Sequence, residues 1–215
     1  MIFAAFDLDG ILINSMELIY MGLEEAGYGP DRNNHKVFHF NWLPGGEPPV
    51  DFQWDLFFYR LLTERFDETE PIDRYVRQFM NEVYYDGKEA IRVVTARPYG
   101  ALMYHAIKMT LSRHFPDIDF SIDICEYGSE KIRYLGDAID IYFEDRRKTV
   151  LSLAKAGKIV FMRNDDYNQI DNCQDLIAIY NARLVELQPG MIVTFDDYAE
   201  LIEHKVPEFI NPRLS

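Results

Sequence analysis

Two aspartates separated by one residue follow a short apolar segment near the start of the chain. Asp7 and Asp9 belong to the sequence Asp-Leu-Asp-Gly, directly after the apolar residues 2–6. Side chains two residues apart on an extended backbone point to the same side, so these carboxylates face one site. Like charges this close are unfavourable unless a cation neutralises them, and Mg²⁺ prefers oxygen ligands and accepts phosphate as a further ligand. The segment therefore predicts a magnesium site for a phosphorylated molecule.

Polar residues also close two later apolar segments. Thr95 ends a predicted strand over residues 91–95, and Glu144 and Asp145 follow a predicted strand over residues 139–143. Open parallel sheets bind their ligands at the carboxyl ends of the strands, so these side chains are expected beside the two aspartates. The sequence thus predicts one site at one edge of a sheet.

Each of these residues has a plain structural alternative, which the sequence leaves open. Asp7 and Asp9 could only cap or line a turn, and Thr95 could be a β-branched strand residue or a helix cap. Lys131, which precedes the strand over residues 139–143, could be a solvated helix lysine.

Strands alternate with helices along most of the chain. This order predicts a parallel sheet wound by right-handed crossovers, that is, an α/β fold of the Rossmann-like kind. The helical patterns lie between strands predicted over residues 2–6, 91–95, 118–125, 139–143, 158–162 and 191–195.

The stretch between the first two predicted strands is too long for a simple crossover. Helical spacing predicts helices from Asn14 or Ser15 to about Ala26, over residues 51–66, and from Pro71 onwards. We therefore predict a mainly helical cap over residues 15–69, inserted into a core formed by residues 1–14 and 70–215.

Composition narrows the partners and the location. The chain has 215 residues and a formal charge of −14, which argues against long nucleic acids because these are held mainly by Lys and Arg. A small phosphorylated substrate needs only a local positive site. Cys125 and Cys173 show no metal-ligand or redox spacing, and the apolar opening is too short for a membrane span. We expect a cytoplasmic protein without a membrane segment, whose oligomeric state stays open.

Taken together, Asp7-Leu8-Asp9-Gly10, Thr95, Lys131 and Glu144-Asp145 resemble the four motifs of the haloacid dehalogenase superfamily, in their order and on their expected elements. The resemblance covers residues 1–14 and 71–162. It implies the Rossmann-like parallel sheet of that family with a cap after the first strand. It also implies a Mg²⁺-dependent phosphomonoester hydrolase.

The same resemblance implies a role for each residue. Asp7 would attack phosphorus and form an aspartyl-phosphate, while Asp9 would serve as general acid and then as general base. Thr95 and the backbone amide of Ala96 would bind the transferring phosphoryl group, and Lys131 would neutralise its charge.

The metal site and the substrate are less closely specified by the resemblance. Asp145 would complete the Mg²⁺ site with the carboxylate of Asp7 and the carbonyl of Asp9, although Glu144 could also reach the metal. The second and fourth motifs look most like those of the 5'-deoxyribonucleotidase-like branch, which implies a nucleoside monophosphate or a similar small phosphorylated metabolite.

Two further residues are candidates for substrate contact. Arg97 could reach a phosphate or a base edge, or could pair with an acidic neighbour on the surface. Trp42 could stack on a base or pack inside the cap. A polynucleotide 3'-end phosphatase, a phosphotransferase and a non-catalytic binding protein of the same fold remain alternatives.

Overall fold

A parallel β-sheet forms the centre of the molecule. The computed structural model describes residues 4–27, 53–83, 90–137, 139–164, 177–178 and 188–210. Its strands are β1 (Ala4–Phe6), β2 (Ile91–Ala96), β3 (Phe120–Cys125), β4 (Ile141–Glu144), β5 (Ile159–Arg163), β6 (Ile177–Ala178) and β7 (Ile192–Phe195). They lie in the order β3-β2-β1-β4-β5-β7-β6, which confirms the predicted α/β fold.

Helices connect the strands and cover the sheet. They are α1 (Ser15–Glu25), α2 (Trp54–Glu64), α3 (Val76–Val83), α4 (Ala101–His114), α5 (Lys131–Leu135), α6 (Arg147–Lys155), α7 (Tyr198–Glu203) and α8 (Val206–Ile210), with single 3₁₀ turns at Phe66–Glu68 and Gly128–Glu130. In the described part of the chain, none of these helices has the length and apolar character needed to cross a membrane.

A row of phenylalanines fixes the register of the central strands. Phe6 of β1 lies opposite Phe143 of β4, which lies opposite Phe161 of β5. The ring of Phe143 stacks on both neighbours, with its centroid 4.5 Å from that of Phe6 and 4.9 Å from that of Phe161. If one of these strands shifted by one residue, its phenylalanine would move to the other face of the sheet and the stacking would be lost. The row therefore fixes the relative positions of the strand ends.

The strand order places β1 between β2 and β4. The chain proceeds from β1 towards one edge of the sheet through β2 and β3, and then crosses back to β4 on the other side of β1. Such a reversal opens a crevice at the carboxyl ends of the strands beside it. The side chains that follow these strands therefore meet in one place.

The chain leaves the core after β1 and returns to it at a neighbouring point. The amide of Asn14 donates to the carbonyl of Glu70 at 2.9 Å, and the amide of Ile72 donates to the carbonyl of Leu12 at 3.0 Å. The outgoing and returning segments are thus hydrogen-bonded side by side. The predicted bounds of the cap, residues 15–69, remain a prediction.

The helices α1 and α2 of the inserted stretch pack closely at a glycine. A Cβ atom on Gly22 would lie only 2.7 Å from Cδ1 of Leu61, so a larger residue would require the Leu61 side chain to move. Residues 28–52 lie outside the described residues, and Trp42 is among them.

The helix predicted to open at Pro71 begins later, at Val76. The prediction was wrong because Pro71 instead pairs with Ile13 in an isolated antiparallel bridge. Asp73 then caps the helix: its Oδ1 accepts from the amides of Tyr75 at 2.7 Å and Val76 at 2.8 Å.

Candidate functional site

A cavity of about 520 Å³ opens at the carboxyl ends of the central strands. Nearly all the residues predicted from the sequence to act on a phosphoryl group contribute to its wall. Those that line it are Asp7, Asp9, Thr95, Ala96, Arg97, Lys131 and Asp145. Glu144 does not line it and lies behind the ammonium group of Lys131, to which its Oε2 is hydrogen-bonded at 2.8 Å.

Asp7 is held at the end of β1 by backbone and side-chain contacts. Its amide donates to the carbonyl of Phe143 at 2.9 Å, which continues the pairing of β1 with β4. Its Oδ1 accepts from the amide of Leu8 at 2.7 Å, and its Oδ2 lies 2.5 Å from Nζ of Lys131. The carboxylate is therefore fixed in orientation at the floor of the cavity.

Lys131 is completely buried, which excludes the alternative that it is a solvated helix lysine. Its ammonium group bridges Asp7 and Glu144 and lies 5.6 Å from the centre of the Tyr142 ring. Burial alone would lower the pKa of Lys131, but the two carboxylates raise it well above its ordinary value. The side chain therefore carries a fixed positive charge beside Asp7.

Three buried carboxylates cluster around this lysine. One oxygen from each of Asp7, Glu144 and Asp145 lies within 4.8 Å of the others. Burial, reinforced by the charge of Glu144, raises the pKa of Asp7 to about 8 although Lys131 opposes the shift. Burial also raises the pKa of Glu144, again with Lys131 opposing. With all three carboxylates ionised, the cluster would carry more negative charge than one ammonium can balance, and a hard divalent cation would suit its oxygen ligands.

Asp9 lies in a different electrostatic setting, although it is only two residues from Asp7. Arg97 donates from Nε to Oδ2 of Asp9 at 2.8 Å and from Nη2 to Oδ1 at 2.5 Å. The hydroxyl of Ser15 donates to the same Oδ1. Burial raises the pKa of Asp9, but Arg97 and Ser15 outweigh it and hold this pKa below its ordinary value.

The side chain of Asp9 is not part of the acidic cluster in the described part of the chain. Its predicted metal contact through the backbone carbonyl remains a prediction. Arg97, predicted as a substrate contact, lines the cavity but directs its guanidinium to Asp9. It therefore pairs with an acidic neighbour, but with one in the cavity wall and not on the surface as the alternative had it.

Thr95 supplies a polar atom without a protein partner. Its side chain is 1% exposed, and its Oγ1 forms no hydrogen bond with any described residue. A buried hydroxyl without a partner is costly, so this atom is suited to a ligand oxygen. Its position in the cavity wall agrees with the predicted role in phosphoryl binding, which stays a prediction together with that of the Ala96 amide.

The cavity also contains residues that the sequence did not predict. Glu126 and Tyr127 follow β3, and their signal was available because they lie at the carboxyl end of a strand like the other site residues. Ser15 was interpreted only as a helix cap, since nothing in the spacing shows that its hydroxyl turns back to Asp9. Tyr99, which is 84% exposed, stands at the rim.

No protein-family model and no curated protein matches the sequence. Several solved structures match the fold. CbbY from Rhodobacter sphaeroides in complex with phosphate has a TM-score of 0.56 at 17% identity, covering 94% of this chain and 96% of that one. A mutant of the same CbbY in complex with xylulose-(1,5)bisphosphate has a TM-score of 0.52 at 15% identity, covering 81% and 92%.

A further solved structure is a putative beta-phosphoglucomutase from Bacteroides vulgatus, with a TM-score of 0.55 at 16% identity. The match covers 96% of this chain and 90% of that one. At such low identity the likeness establishes a shared fold, and the chemistry must be argued from the residues of the cavity.

Proposed function

We propose that this chain, which has the fold of the haloacid dehalogenase superfamily shared by its structural neighbours, is a magnesium-dependent phosphomonoester hydrolase. The observation that carries the proposal is the contact of Asp7 with the buried Lys131 at the floor of the cavity. The ammonium group favours the ionised form of Asp7, against the burial that raises its pKa, and it neutralises an approaching phosphoryl group.

The reaction proceeds in two displacements. In the first, an oxygen of Asp7 bonds to phosphorus while the bond to the leaving oxygen breaks, and Asp9 gives that oxygen its proton. This step requires Asp9 to be protonated in the substrate complex, although Arg97 and Ser15 favour its ionised form. In the second, water attacks the aspartyl-phosphate and Asp9 takes the proton from it. The bond between Asp7 and phosphorus then breaks, and inorganic phosphate leaves with Asp7 and Asp9 restored.

Thr95 and Lys131 stabilise the transferring group. The unpartnered hydroxyl of Thr95 donates to a phosphoryl oxygen, joined by the amide of Ala96. Thr95 and Lys131 are both buried in the cavity wall, and donors that are positioned before the substrate arrives contribute most to such reactions.

The acidic cluster supports a bound Mg²⁺. Asp7 and Asp145 would hold it, together with the carbonyl of Asp9, and it would supply charge neutralisation and orientation of the substrate. Glu144 accepts from Lys131 and from the amide of Arg146 at 3.0 Å, so its main contacts favour a role in positioning the lysine.

The substrate is proposed to be a small phosphorylated metabolite, such as a nucleoside monophosphate. A cavity of about 520 Å³ suits a molecule of this size. The neighbouring CbbY structures hold phosphate and xylulose-(1,5)bisphosphate, which are also small phosphorylated ligands. The nucleotidase-like branch, the cap over residues 15–69 and the cytoplasmic location stay predictions.

A phosphate-release assay tests this function. The purified protein would be incubated with nucleoside monophosphates, sugar phosphates and 3'-phosphorylated oligonucleotides, with Mg²⁺ or with EDTA. We expect Mg²⁺-dependent release on at least one small ester. Asp7→Asn should abolish it, whereas Asp117→Asn, at an exposed surface position, should not.

Each other result would identify an alternative. Release in Asp7→Asn equal to the wild type would exclude the aspartyl-phosphate mechanism. Activity confined to oligonucleotide ends would identify the polynucleotide phosphatase. No release on any ester would favour the non-catalytic protein, and transfer of the phosphoryl group to an added alcohol in place of water would identify a phosphotransferase.

A further inference from the structure

We propose that Arg97 is a positioning residue that orients Asp9 and selects Oδ2 as the atom that exchanges the proton. This inference rests on the proposed function and deepens it. Arg97 is 6% exposed, and its guanidinium lies flat against the Asp9 carboxylate in a two-point contact. Such a contact between an arginine and a carboxylate restrains both rotation and position, as a single hydrogen bond does not.

The hydrogen bonds on Asp9 are divided unequally between its oxygens. Oδ1 accepts two, from Nη2 of Arg97 and from the hydroxyl of Ser15. Oδ2 accepts one, from Nε of Arg97. A carboxylate oxygen offers two lone pairs, so Oδ1 is saturated by described residues and Oδ2 keeps one lone pair. Because Asp9 lines the cavity, that lone pair is the one available to a leaving oxygen.

Ser15 and Arg97 support each other in this arrangement. Nη2 of Arg97 lies 3.2 Å from the hydroxyl of Ser15, and that hydroxyl in turn donates to Asp9. The remaining nitrogen, Nη1, lies 3.9 Å from Sδ of Met103, a weak acceptor that does not compete for the guanidinium. The three side chains form a closed triangle that joins β2 to the first turn of α1.

Arg97 also keeps Asp9 away from Lys131, a second cation in the cavity wall. Asp7 and Asp9 both point towards the cavity, and Lys131 already serves Asp7 and Glu144. Without Arg97, Asp9 would lose two of its three hydrogen bonds and could turn towards Lys131. Asp7 and Asp9 therefore have different cationic partners, Lys131 for the proposed nucleophile and Arg97 for the proposed proton carrier.

The test compares two esters of similar size. p-Nitrophenyl phosphate has a leaving group that departs without a proton, whereas benzyl phosphate releases an alkoxide that needs one. If Arg97 acts through Asp9, Arg97→Met lowers kcat/KM for benzyl phosphate by about 10- to 100-fold and kcat/KM for p-nitrophenyl phosphate by less than about 3-fold. The ratio kcat/KM is compared because it reports only the steps up to the aspartyl-phosphate, whose hydrolysis requires Asp9 for both esters. Arg97→Lys keeps the charge but not the two-point contact, so its loss should be intermediate.

A double-mutant cycle tests whether the effect of Arg97 depends on Asp9. In an Asp9→Asn background, replacing Arg97 should have almost no further effect on either ester, since the group it positions is gone. Ser15→Ala should show the same preference for the ester as Arg97→Met, with a smaller loss. If Arg97→Met does not fold, the Lys variant is measured in its place.

Two results would overturn the inference. Equal losses on both esters with a raised KM would show that Arg97 binds the phosphoryl group of the substrate, and an undiminished effect in the Asp9→Asn background would show the same. If the wild type releases no phosphate from either ester or from the wider panel, the proposed function itself fails. If turnover depends on Asp7 but not selectively on Arg97, only this inference fails.

Discussion

The ammonium group of Lys131, whose side chain is fully buried, lies 2.5 Å from Oδ2 of Asp7. The pair joins the end of β1 to the first residue of α5, and Glu144 completes it from the end of β4. Stability and reactivity depend on the same contact, so the two should change together.

Replacing Lys131 by Met should therefore destabilise the protein strongly. Asp7 and Glu144 would be left buried without their common cation, a change that costs about 3 to 5 kcal/mol when one partner of a buried pair is removed. The free energy of unfolding, measured in urea, reports the loss. Lys148→Met on the exposed face of α6 is the matched control, and a comparable loss there would contradict the prediction.

Divalent cations should stabilise the folded chain. A cation that binds only the folded state adds about 2.7 kcal/mol at a free concentration of 100 times its Kd, which raises the melting temperature. Thermal unfolding with and without Mg²⁺ measures this. Asp145→Asn should remove most of the shift, whereas Asp137→Asn, at an exposed position after α5, should preserve it. An equal shift in Asp145→Asn would exclude the acidic cluster as the binding site.

Asp73 should contribute more to the free energy of unfolding than a residue that only caps a helix. Its Oδ1 caps α3, and its Oδ2 accepts from the amide of Tyr198 at the start of α7, at 3.0 Å. Asp73→Ala removes both contacts and should cost about 1 to 2 kcal/mol in chemical denaturation. Asp73→Asn keeps one acceptor oxygen and should cost less. Identical losses in the two variants would show that only one of the contacts matters.

His114 should make the stability depend on pH. Its Nε2 lies 2.9 Å from the carbonyl of Thr69, and burial lowers its pKa below its ordinary value of 6.5. Below about pH 6.5, His114 is protonated in the unfolded chain but remains neutral to lower pH in the folded chain. The free energy of unfolding therefore falls as the pH decreases through this range.

His114→Gln, which can still donate to the carbonyl of Thr69 but does not titrate, should flatten this dependence. Unfolding in urea at several pH values between 7 and 5 measures the slope for both proteins. His105→Gln, at an exposed position on the same helix, should leave the slope as it is in the wild type. An unchanged slope in His114→Gln would assign the dependence to other groups.

Much of the fold is legible in the sequence because buried strands are apolar and end in polar residues. The limits of strands are less legible. Predicted starts at Ile118 and Ile139 precede the observed strands by two residues, since both side chains are buried just before the ladder begins. Apolar character reports burial, and pairing with a neighbour is a separate property.

Helix starts show the same limit near the end of the chain. The segment from Thr194 to Asp197 suggests a capping box, but the structure places the cap at Asp197, whose side chain accepts from the amide of Glu200 at 3.0 Å. Glu200 reciprocates by accepting from the amide of Asp196 at 2.9 Å. Thr194 remains in β7 because it continues the pairing with β5.

The sequence predicted site residues that lie at the ends of strands. It did not predict contacts between residues that are far apart in the sequence. Position at the ends of strands predicted that Asp7, Thr95 and Asp145 would lie together, and all three line the cavity. The sequence did not identify Asp9 as the partner of Arg97, because the two residues are 88 positions apart and spacing carries no information about such pairs. Charge complementarity decides it only once the strand order is known.

The hydrogen-bonded pairing of Asn14 with Glu70, where the inserted stretch begins and ends, has a consequence for how this protein can change. A segment whose two ends meet adds to the core only the entropy of closing a loop, which grows slowly with length. We therefore expect the junction to tolerate segments of different length between Asn14 and Glu70. Under the proposed function, exchanging this segment would change the choice of substrate while Asp7 and Asp9 keep their positions after β1.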